Sequence, residues 1–134
     1  MRELRISTLA ANAEANAIGA LLSNGYLRIY PAPKSLSADD AVLVPHLAEL
    51  RFAEIAFNDA VDGVIASLPL LPDTNTAGGG EAAWFRAFTE GEESVFDGTV
   101  GLLGYDINLQ KSTSIHPGGE LHISSIVYRV RKNS

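Results

Sequence analysis

Asp106 and Asn108 form the pair whose spacing comes nearest to a metal-binding loop in this sequence. Alternating oxygen ligands of this kind open a calcium-binding loop, but the further acid or amide and the glycine of that longer pattern do not follow here. On a β-strand the two side chains would point to one side, and those of Ile107 and Leu109 to the other. We therefore interpret 106–108 as a half-buried edge strand and predict no metal site.

No other group of residues has the spacing of a catalytic site. The chain contains no cysteine and no serine in the G-x-S-x-G pattern of a nucleophile elbow. His116 and His122 would need a third ligand to hold zinc. The acid pairs Asp39–Asp40 and Glu92–Glu93 lie in predicted loops, where charged side chains are ordinarily solvated. We predict a protein that is not an enzyme, with no catalytic, cofactor-binding or metal-binding residues and no cofactor.

Composition limits the classes of partner. The 134 residues carry a formal net charge of −6, whereas a protein that binds nucleic acid needs clustered Lys and Arg. The one short basic group is Arg129, Arg131 and Lys132. No apolar run approaches the roughly 18 residues of a membrane span, and Glu3 and Glu14 interrupt any signal-peptide core. We predict no nucleic-acid partner, no membrane partner and a cytoplasmic site of synthesis.

One helix is predicted near the N-terminus, over about residues 7–23. Ser7 is a suitable N-cap, and Gly25 could adopt the left-handed conformation that ends a helix. An apolar stripe recurs at helical spacing, with Leu9, Ala13, Ala17, Leu21 and Leu22 as its members. Two interpretations remain open: the stripe packs on its own domain, which we favour, or it docks on a neighbouring subunit.

The rest of the chain alternates between strand and turn patterns. Predicted strands cover 26–30, 46–53, 64–71, 82–88, 94–101 and 121–132. No later segment offers the crossover helix that a parallel sheet needs. We predict a single domain over 1–134: a mainly β fold, an antiparallel β-sandwich of jelly-roll or Greek-key type over about 26–132, with one N-terminal α-helix.

Two local features refine the strand predictions. In the last strand, Leu121 and Ile123 share one parity and Ile126, Tyr128 and Val130 the other, so that a β-bulge is expected at Ser124–Ser125. The dipeptides Asp62–Gly63 and Asp97–Gly98 are both turn or bulge signals.

Several stretches together resemble a family of small proteins encoded in the structural-gene clusters of tailed phages and prophages. They are NGYLRIYPAPK, HLAELRFAEIAF, AVDGVIA, AAWFRAF, VFDGTVG followed by DINL, and PGGELHISS. Their order and spacing agree from about residue 20 to 130, although no single motif is diagnostic. The resemblance implies a non-enzymatic, virion-associated protein that serves in capsid decoration (cement) or as a head–tail or tail accessory.

The chain departs from that family in two apolar turns, which we predict as protein-contact residues: Leu70, Leu71, Leu102, Leu103 and Tyr105. The expected partners are further copies of the chain in a homo-oligomer, and a capsid or tail protein. An alternative is a small-ligand or carbohydrate-binding β-sandwich module with a stacking platform drawn from Trp84, Tyr26, Tyr30 and Tyr105. A buried Trp84 would count against that alternative.

Overall fold

The computed structural model describes residues 4–132, which contain one α-helix and nine β-strands. The helix is α1 (Thr8–Leu21). The strands are β1 (Tyr26–Tyr30), β2 (Ala48–Arg51), β3 (Val64–Ala66), β4 (Gly80–Glu81), β5 (Trp84–Phe88), β6 (Ser94–Gly101), β7 (Ile107–Asn108), β8 (Ser114–Ile115) and β9 (Val127–Arg129). The prediction of a mainly β chain with one N-terminal helix is confirmed. The helix in that part of the chain is too short to cross a membrane.

Five strands form the main sheet in the order β2-β1-β5-β6-β7, and the pairs β3–β9 and β4–β8 form two small sheets. All pairs are antiparallel except β6–β7, which is parallel. Parallel neighbours ordinarily need a long crossover. The parallel pairing of β6 with β7 covers only two residue pairs, Val100 with Ile107 and Gly101 with Asn108. Because the chain has only this short distance to return, the turn 102–106 is long enough to connect the two strands.

The core lies against one face of the main sheet. Leu27 and Ile29 of β1 are fully buried, and they pair with Ala87 and Phe85 of β5. The same inward set continues on β2 and just after it, through Ala48, Leu50 and Phe52, as the alternation predicts. Each fully buried aliphatic or aromatic side chain contributes about 1.5–3 kcal/mol to stability.

The predicted final strand is interrupted where its parity changes. Ile123 and Ile126 are both buried, while Ser124 and Ser125 between them are exposed. Strand pairing is absent from 122–126, and β9 begins only at Val127. The expected β-bulge at the two serines is therefore not formed: strand pairing is broken there instead, and the segment 121–132 is divided into an isolated bridge at Leu121 and the short strand β9.

Helix α1 begins as predicted and ends differently. The Ser7 hydroxyl accepts a hydrogen bond from the Ala10 N–H at 3.1 Å. At the other end Asn24, with φ 55°, takes the left-handed conformation that was assigned to Gly25. Gly25 is needed for another reason, because a Cβ there would lie 2.2 Å from the Phe88 carbonyl oxygen.

The face of α1 that is buried differs from the predicted one. Of the predicted apolar stripe only Leu22 is buried, and the face that packs on the domain consists of Ala11, Ala15 and Gly19. A Cβ at Gly19 would come within 3.1 Å of Ile65, so small residues let the helix approach β3 closely. Leu9 and Leu21 point to solvent instead, exposed by 82% and 51%.

The two Asp–Gly dipeptides have different roles. Asp62 and Gly63 have φ of 51° and 74° and form the expected turn. Asp97 and Gly98 lie inside β6, in register with Arg86 and Phe85 of β5, so the dipeptide forms neither a turn nor a bulge there and the predicted strand 94–101 is confirmed. A Cβ on Gly98 would lie 2.3 Å from the Phe85 ring, and glycine therefore makes room for that ring.

Candidate contact surface

The turn between β6 and β7 exposes three of the five predicted contact residues. Leu102 is 51% exposed, Leu103 87% and Tyr105 51%. Gly104 has a φ of 81° and open space around it, so it supplies the left-handed step that reverses the chain. The candidate contact surface therefore includes apolar side chains on a tight turn. We call residues 102–105 the apolar turn.

The Asn108 side chain holds the apolar turn through two hydrogen bonds to the backbone of Tyr105. Its Oδ1 accepts a hydrogen bond from the Tyr105 N–H at 3.0 Å, and its Nδ2 donates to the Tyr105 carbonyl at 3.2 Å. The Tyr105 ring lies over Gly101, where a Cβ would approach ring atoms to within 2.0 Å. These contacts fix the backbone of the turn while half of the tyrosine side chain remains in solvent.

Asp106 anchors the end of the same turn on β6. Its Oδ2 accepts from the Thr99 N–H at 2.9 Å and from the Thr99 hydroxyl at 3.0 Å, and its own N–H donates to Thr99 Oγ1 at 3.2 Å. Ile107 and Leu109 are buried on the other side. The Asp106–Asn108 pair is thus a structural clamp at an edge strand, as the alternation indicates. Within residues 4–132 no three His, Cys, Asp or Glu residues are grouped so as to hold a metal ion.

The other two predicted contact residues lie elsewhere. Leu70 is only 5% exposed and belongs to the core, which corrects its assignment as a contact residue. Leu71 is 61% exposed, and its backbone pairs with Arg51 at the β2 edge of the sheet. The apolar turn follows β6 and leads into β7, at the opposite edge. The structure therefore does not join the two predicted apolar turns into one patch.

A second exposed segment, in which no contact residue was predicted, covers the outer face of the sheet. We call residues 31–45 the crossing loop. Leu36 and Leu43 in this loop are 99% and 93% exposed. The only sequence signal for them is an isolated leucine within KSLSADDA and the apolar run AVLV that follows it.

The crossing loop is held by a buried arginine. The Arg86 guanidinium donates to the Ser37 carbonyl at 3.0 Å, to Ser35 Oγ at 3.2 Å and to the Asp40 carbonyl. It also forms a bidentate pair with Asp97, with Nε to Oδ1 at 2.6 Å and Nη2 to Oδ2 at 3.0 Å. Polar loop backbone is thereby tied to the sheet although the leucines around it are solvated.

The electrostatics of this pair favour the charged forms. Burial alone would raise the pKa of Asp97, but hydrogen bonds from Arg86 and Ser35 outweigh it, and the pKa lies below its ordinary value of 3.8. The hydrogen bond to Asp97 likewise raises the pKa of Arg86. Arg86 and Asp97 hydrogen-bond to each other and hold the crossing loop on the sheet, so the ion pair has a structural role.

The crossing loop and the apolar turn lie on the same face of β6. Asp97, Thr99 and Gly101 share one parity on this strand; Asp97 and Thr99 pair with Arg86 and Trp84 of β5, and Gly101 pairs with Asn108 of β7. Ser35 of the loop donates to Asp97 at 2.6 Å, and the Tyr105 ring covers Gly101. The crossing loop and the apolar turn therefore both present exposed leucines on one face of the sheet.

The aromatic residues do not form an open stacking platform. Trp84 is 2% exposed and donates from Nε1 to the Pro31 carbonyl at 2.9 Å. Tyr30 is 3% exposed and stacks on Trp84 with ring centroids 4.7 Å apart. Tyr26 is half-buried between Arg28 and Arg51, whose guanidinium carbons lie 5.2 and 4.4 Å from its ring centroid. This burial counts against the carbohydrate-binding alternative.

A groove of about 500 Å³ lies between the 109–116 segment and the 119–122 segment. His116 and His122 line it, and His122 Nε2 lies 3.4 Å from Glu120 Oε1. Both histidines are exposed. The groove brings the two histidines to one place, and no group of three His, Cys, Asp or Glu residues that could hold a metal ion includes them within residues 4–132.

Comparison of the chain with known protein families, with curated proteins and with solved structures finds no match. The resemblance to phage structural proteins stays a prediction.

Proposed function

We propose that this chain is a non-enzymatic, virion-associated structural protein of a tailed phage or prophage, which acts in capsid decoration or as a head–tail or tail accessory. The observation that carries the proposal is the exposure of Leu102, Leu103 and Tyr105 on a turn fixed by hydrogen bonds. The sequence resemblance supplies the class of partner. The protein would be made in the host cytoplasm and reside in the virion.

A rigid apolar turn suits a structural contact. Binding loses free energy when mobile loops become ordered, and a turn that is already fixed avoids that loss. Tyrosine is favoured at the centre of protein interfaces, because it buries a large area with few rotatable bonds. Tyr105, which is held over Gly101 and still half-exposed, fits this role.

The crossing loop would enlarge the contact. A stable interface buries about 800 Å² on each partner, which is more than one four-residue turn provides. Leu36 and Leu43 add exposed apolar area on the same face of the sheet. Around them Asp39, Asp40 and Glu93 are exposed, so a partner surface with an apolar centre and basic rim would match.

We also propose that the fold is a β-sandwich, with the β3–β9 pair as the second layer. Tyr128 of β9 stacks on Phe96 of β6, with ring centroids 5.1 Å apart. Ile65 of β3 and Ile126 beside β9 are buried in the same core as the inner face of the main sheet. These contacts support a two-layer arrangement in which α1 covers β3 from outside.

Co-sedimentation tests the proposed function. The purified chain is mixed with capsids and, separately, with tails of the phage or induced prophage that encodes it. We expect it to pellet with one of the two, and Leu103→Asp to abolish pelleting. The control is Ile55→Asp, which places the same charge on another exposed apolar residue, 69% exposed and outside the turn.

Two results would overturn the proposal. If the unaltered chain pellets with neither particle, the virion role is wrong. If Leu103→Asp pellets as well as the unaltered chain, the apolar turn is not the contact. Circular dichroism of both variants would establish that they are folded.

A further inference from the structure

The strip of α1 directly opposite its buried face consists only of alanine and leucine, with the exposed Glu14 and Asn16 on either side of it. Successive residues of an α-helix are 100° apart around its axis. The face directly opposite the buried Ala11, Ala15 and Gly19 therefore contains Leu9, Ala10, Ala13, Ala17, Ala20 and Leu21. Five of these six are exposed, and Ala10 is half-buried. We call these six residues the Leu/Ala face. Solvent-exposed helix faces are ordinarily polar, so this face is unusual for a free surface.

Hydrogen bonds fix the helix in this orientation. Asn12 Oδ1 accepts from the Gly63 N–H at 2.7 Å, and Asn16 Oδ1 accepts from the Ala60 N–H at 2.8 Å. On the buried side Gly19 is in tight contact with Ile65 and Phe57. Rotation about the helix axis would break both hydrogen bonds and force larger side chains under the helix. The Leu/Ala face is therefore held outward.

The face is symmetric about residue 15. Leu9 and Leu21 lie six positions to either side, Ala10 and Ala20 five, and Ala13 and Ala17 two. In an antiparallel helix pair with two-fold symmetry, a contact between residues i and j occurs twice, once in each direction. A sequence that reads the same from both ends matches itself in such a pair. We propose that α1 is a two-fold self-docking surface, where two copies of this chain pair through antiparallel Leu/Ala faces.

The residue types suit this packing. Ala10, Ala13, Ala17 and Ala20 have the 3-4-3 spacing of a helix-pair seam, and their small side chains permit close approach of the two helices. At each end a leucine of one copy lies beside the stretch Ala20–Leu21 or Leu9–Ala10 of the other. These leucines close the ends of the seam with larger apolar side chains.

Charge is compatible with the same pairing. The first turn of α1 has no acid and the last turn has no base. An antiparallel partner brings its negative helix end next to the positive end of the first helix, and the reverse. Glu14 borders the face in a groove of about 700 Å³, which Arg129 and Arg131 also line. The groove beside the face therefore contains side chains of both charges in each copy.

The inference goes beyond the proposed function, because it assigns self-association to a face other than the apolar turn. Sedimentation equilibrium is the first test. We expect a dimer, and we expect Ala17→Glu to reduce it to a monomer of unchanged circular dichroism. Gln110→Glu, which adds the same charge at an exposed residue outside the helix, is the control and should remain dimeric.

Disulfide formation tests the register, since the chain has no cysteine of its own. Ala10→Cys and Ala20→Cys proteins are prepared with tags of different mass and oxidised together or apart. The mixture should form the crosslinked heterodimer, whereas neither protein should crosslink with itself. In the proposed register two Ala10 positions are about 15 Å apart along the axis, beyond the roughly 7 Å that a disulfide spans.

Three outcomes would overturn the inference. The unaltered chain could sediment as a monomer at every concentration. Ala17→Glu could remain dimeric. Each cysteine protein could crosslink with itself as efficiently as with the other. The expected pattern of dimer, charge-sensitive dissociation and mixed-only crosslinking has no explanation in a contact through the apolar turn, because Leu103 lies outside α1.

Discussion

Arg86 and Asp97 face each other directly across β5 and β6, and their side chains form a bidentate ion pair that is almost fully buried. The side chains are 3% and 6% exposed. The same guanidinium reaches the carbonyl groups of Ser37 and Asp40. One residue pair therefore connects the sheet to the crossing loop and places the exposed Leu36 and Leu43.

Removal of Asp97 should destabilise the fold strongly. Asp97→Ala leaves the buried Arg86 without its counter-ion, and loss of one partner of a buried pair costs about 3–5 kcal/mol. Urea unfolding followed by circular dichroism measures the change in free energy. Asp39→Ala in the exposed part of the crossing loop is the control and should change stability by less than about 0.5 kcal/mol. Equal effects of the two variants would contradict the role of the pair.

The contribution of Asp97 should depend on pH in one direction. Its folded-state pKa is lower than its ordinary value of 3.8, so the carboxylate stabilises the fold fully above that value. As the pH falls below 3.8 toward the folded-state pKa, this stabilisation is lost. The difference in unfolding free energy between the unaltered chain and Asp97→Ala should therefore shrink as the pH is lowered from 5 through 3.8 to 3, and it should continue to shrink until the pH lies below the folded-state pKa. A constant difference over that range would contradict this assignment.

Gly98 should tolerate no side chain. Gly98→Ala would place a Cβ 2.3 Å from the Phe85 ring, which must then move within the core. Overpacking of this kind costs about 1–3 kcal/mol, measurable by urea unfolding. Gly91→Ala is a matched control, since its Cβ would meet only Thr89 Oγ1 at 3.7 Å and its φ is not left-handed. If both variants were equally stable, the close packing of Phe85 would be wrong.

The sequence predicted correctly those strands in which the alternation of apolar and polar residues allows only one face to be buried. Strands β1 and β6 have the predicted bounds, because Leu27 and Ile29 can be buried together on only one face. Local signals failed where distant packing decides. Asp97–Gly98 has a turn signal, but Arg86 and the Phe85 ring on the neighbouring strand require an acid and a glycine there. A turn propensity contains no information about the partner strand.

The buried face of α1 was predicted wrongly because the larger apolar side chains were expected to be buried. Leucine was taken as the buried residue, yet close contact with Ile65 and Phe57 admits only the small Ala11, Ala15 and Gly19. The same limit applies to the contact residues. Leu70 and Leu71 are adjacent and chemically identical, and only the Ile123 and Arg51 backbone partners decide which of them points inward. The turn around Gly104 exposes Leu102, Leu103 and Tyr105, and their role as contact residues stays a prediction.

Ser67 should stabilise the junction where the last segment changes parity. Its buried hydroxyl oxygen accepts from the Ile126 N–H at 2.8 Å. Ser67→Ala would leave that buried N–H unpaired, at a cost of about 1–3 kcal/mol in unfolding free energy. Ser124→Ala, at an exposed serine of the same junction, should be nearly neutral. Similar urea midpoints for the two variants would show that the Ile126 N–H finds another partner.

Three leucine variants should separate stability from contact. Leu70→Ala removes a core side chain and should cost about 2–5 kcal/mol, because it leaves a cavity. Leu71→Ala and Leu103→Ala alter side chains that are 61% and 87% exposed, so both should remain within about 0.5 kcal/mol of the unaltered chain in urea unfolding. A large destabilisation by Leu103→Ala would mean that the apolar turn supports the fold, and its loss of particle binding could then not be attributed to a missing contact. A Leu103→Ala protein that is stable and no longer pellets with the particle would show instead that this side chain acts through a contact outside the chain.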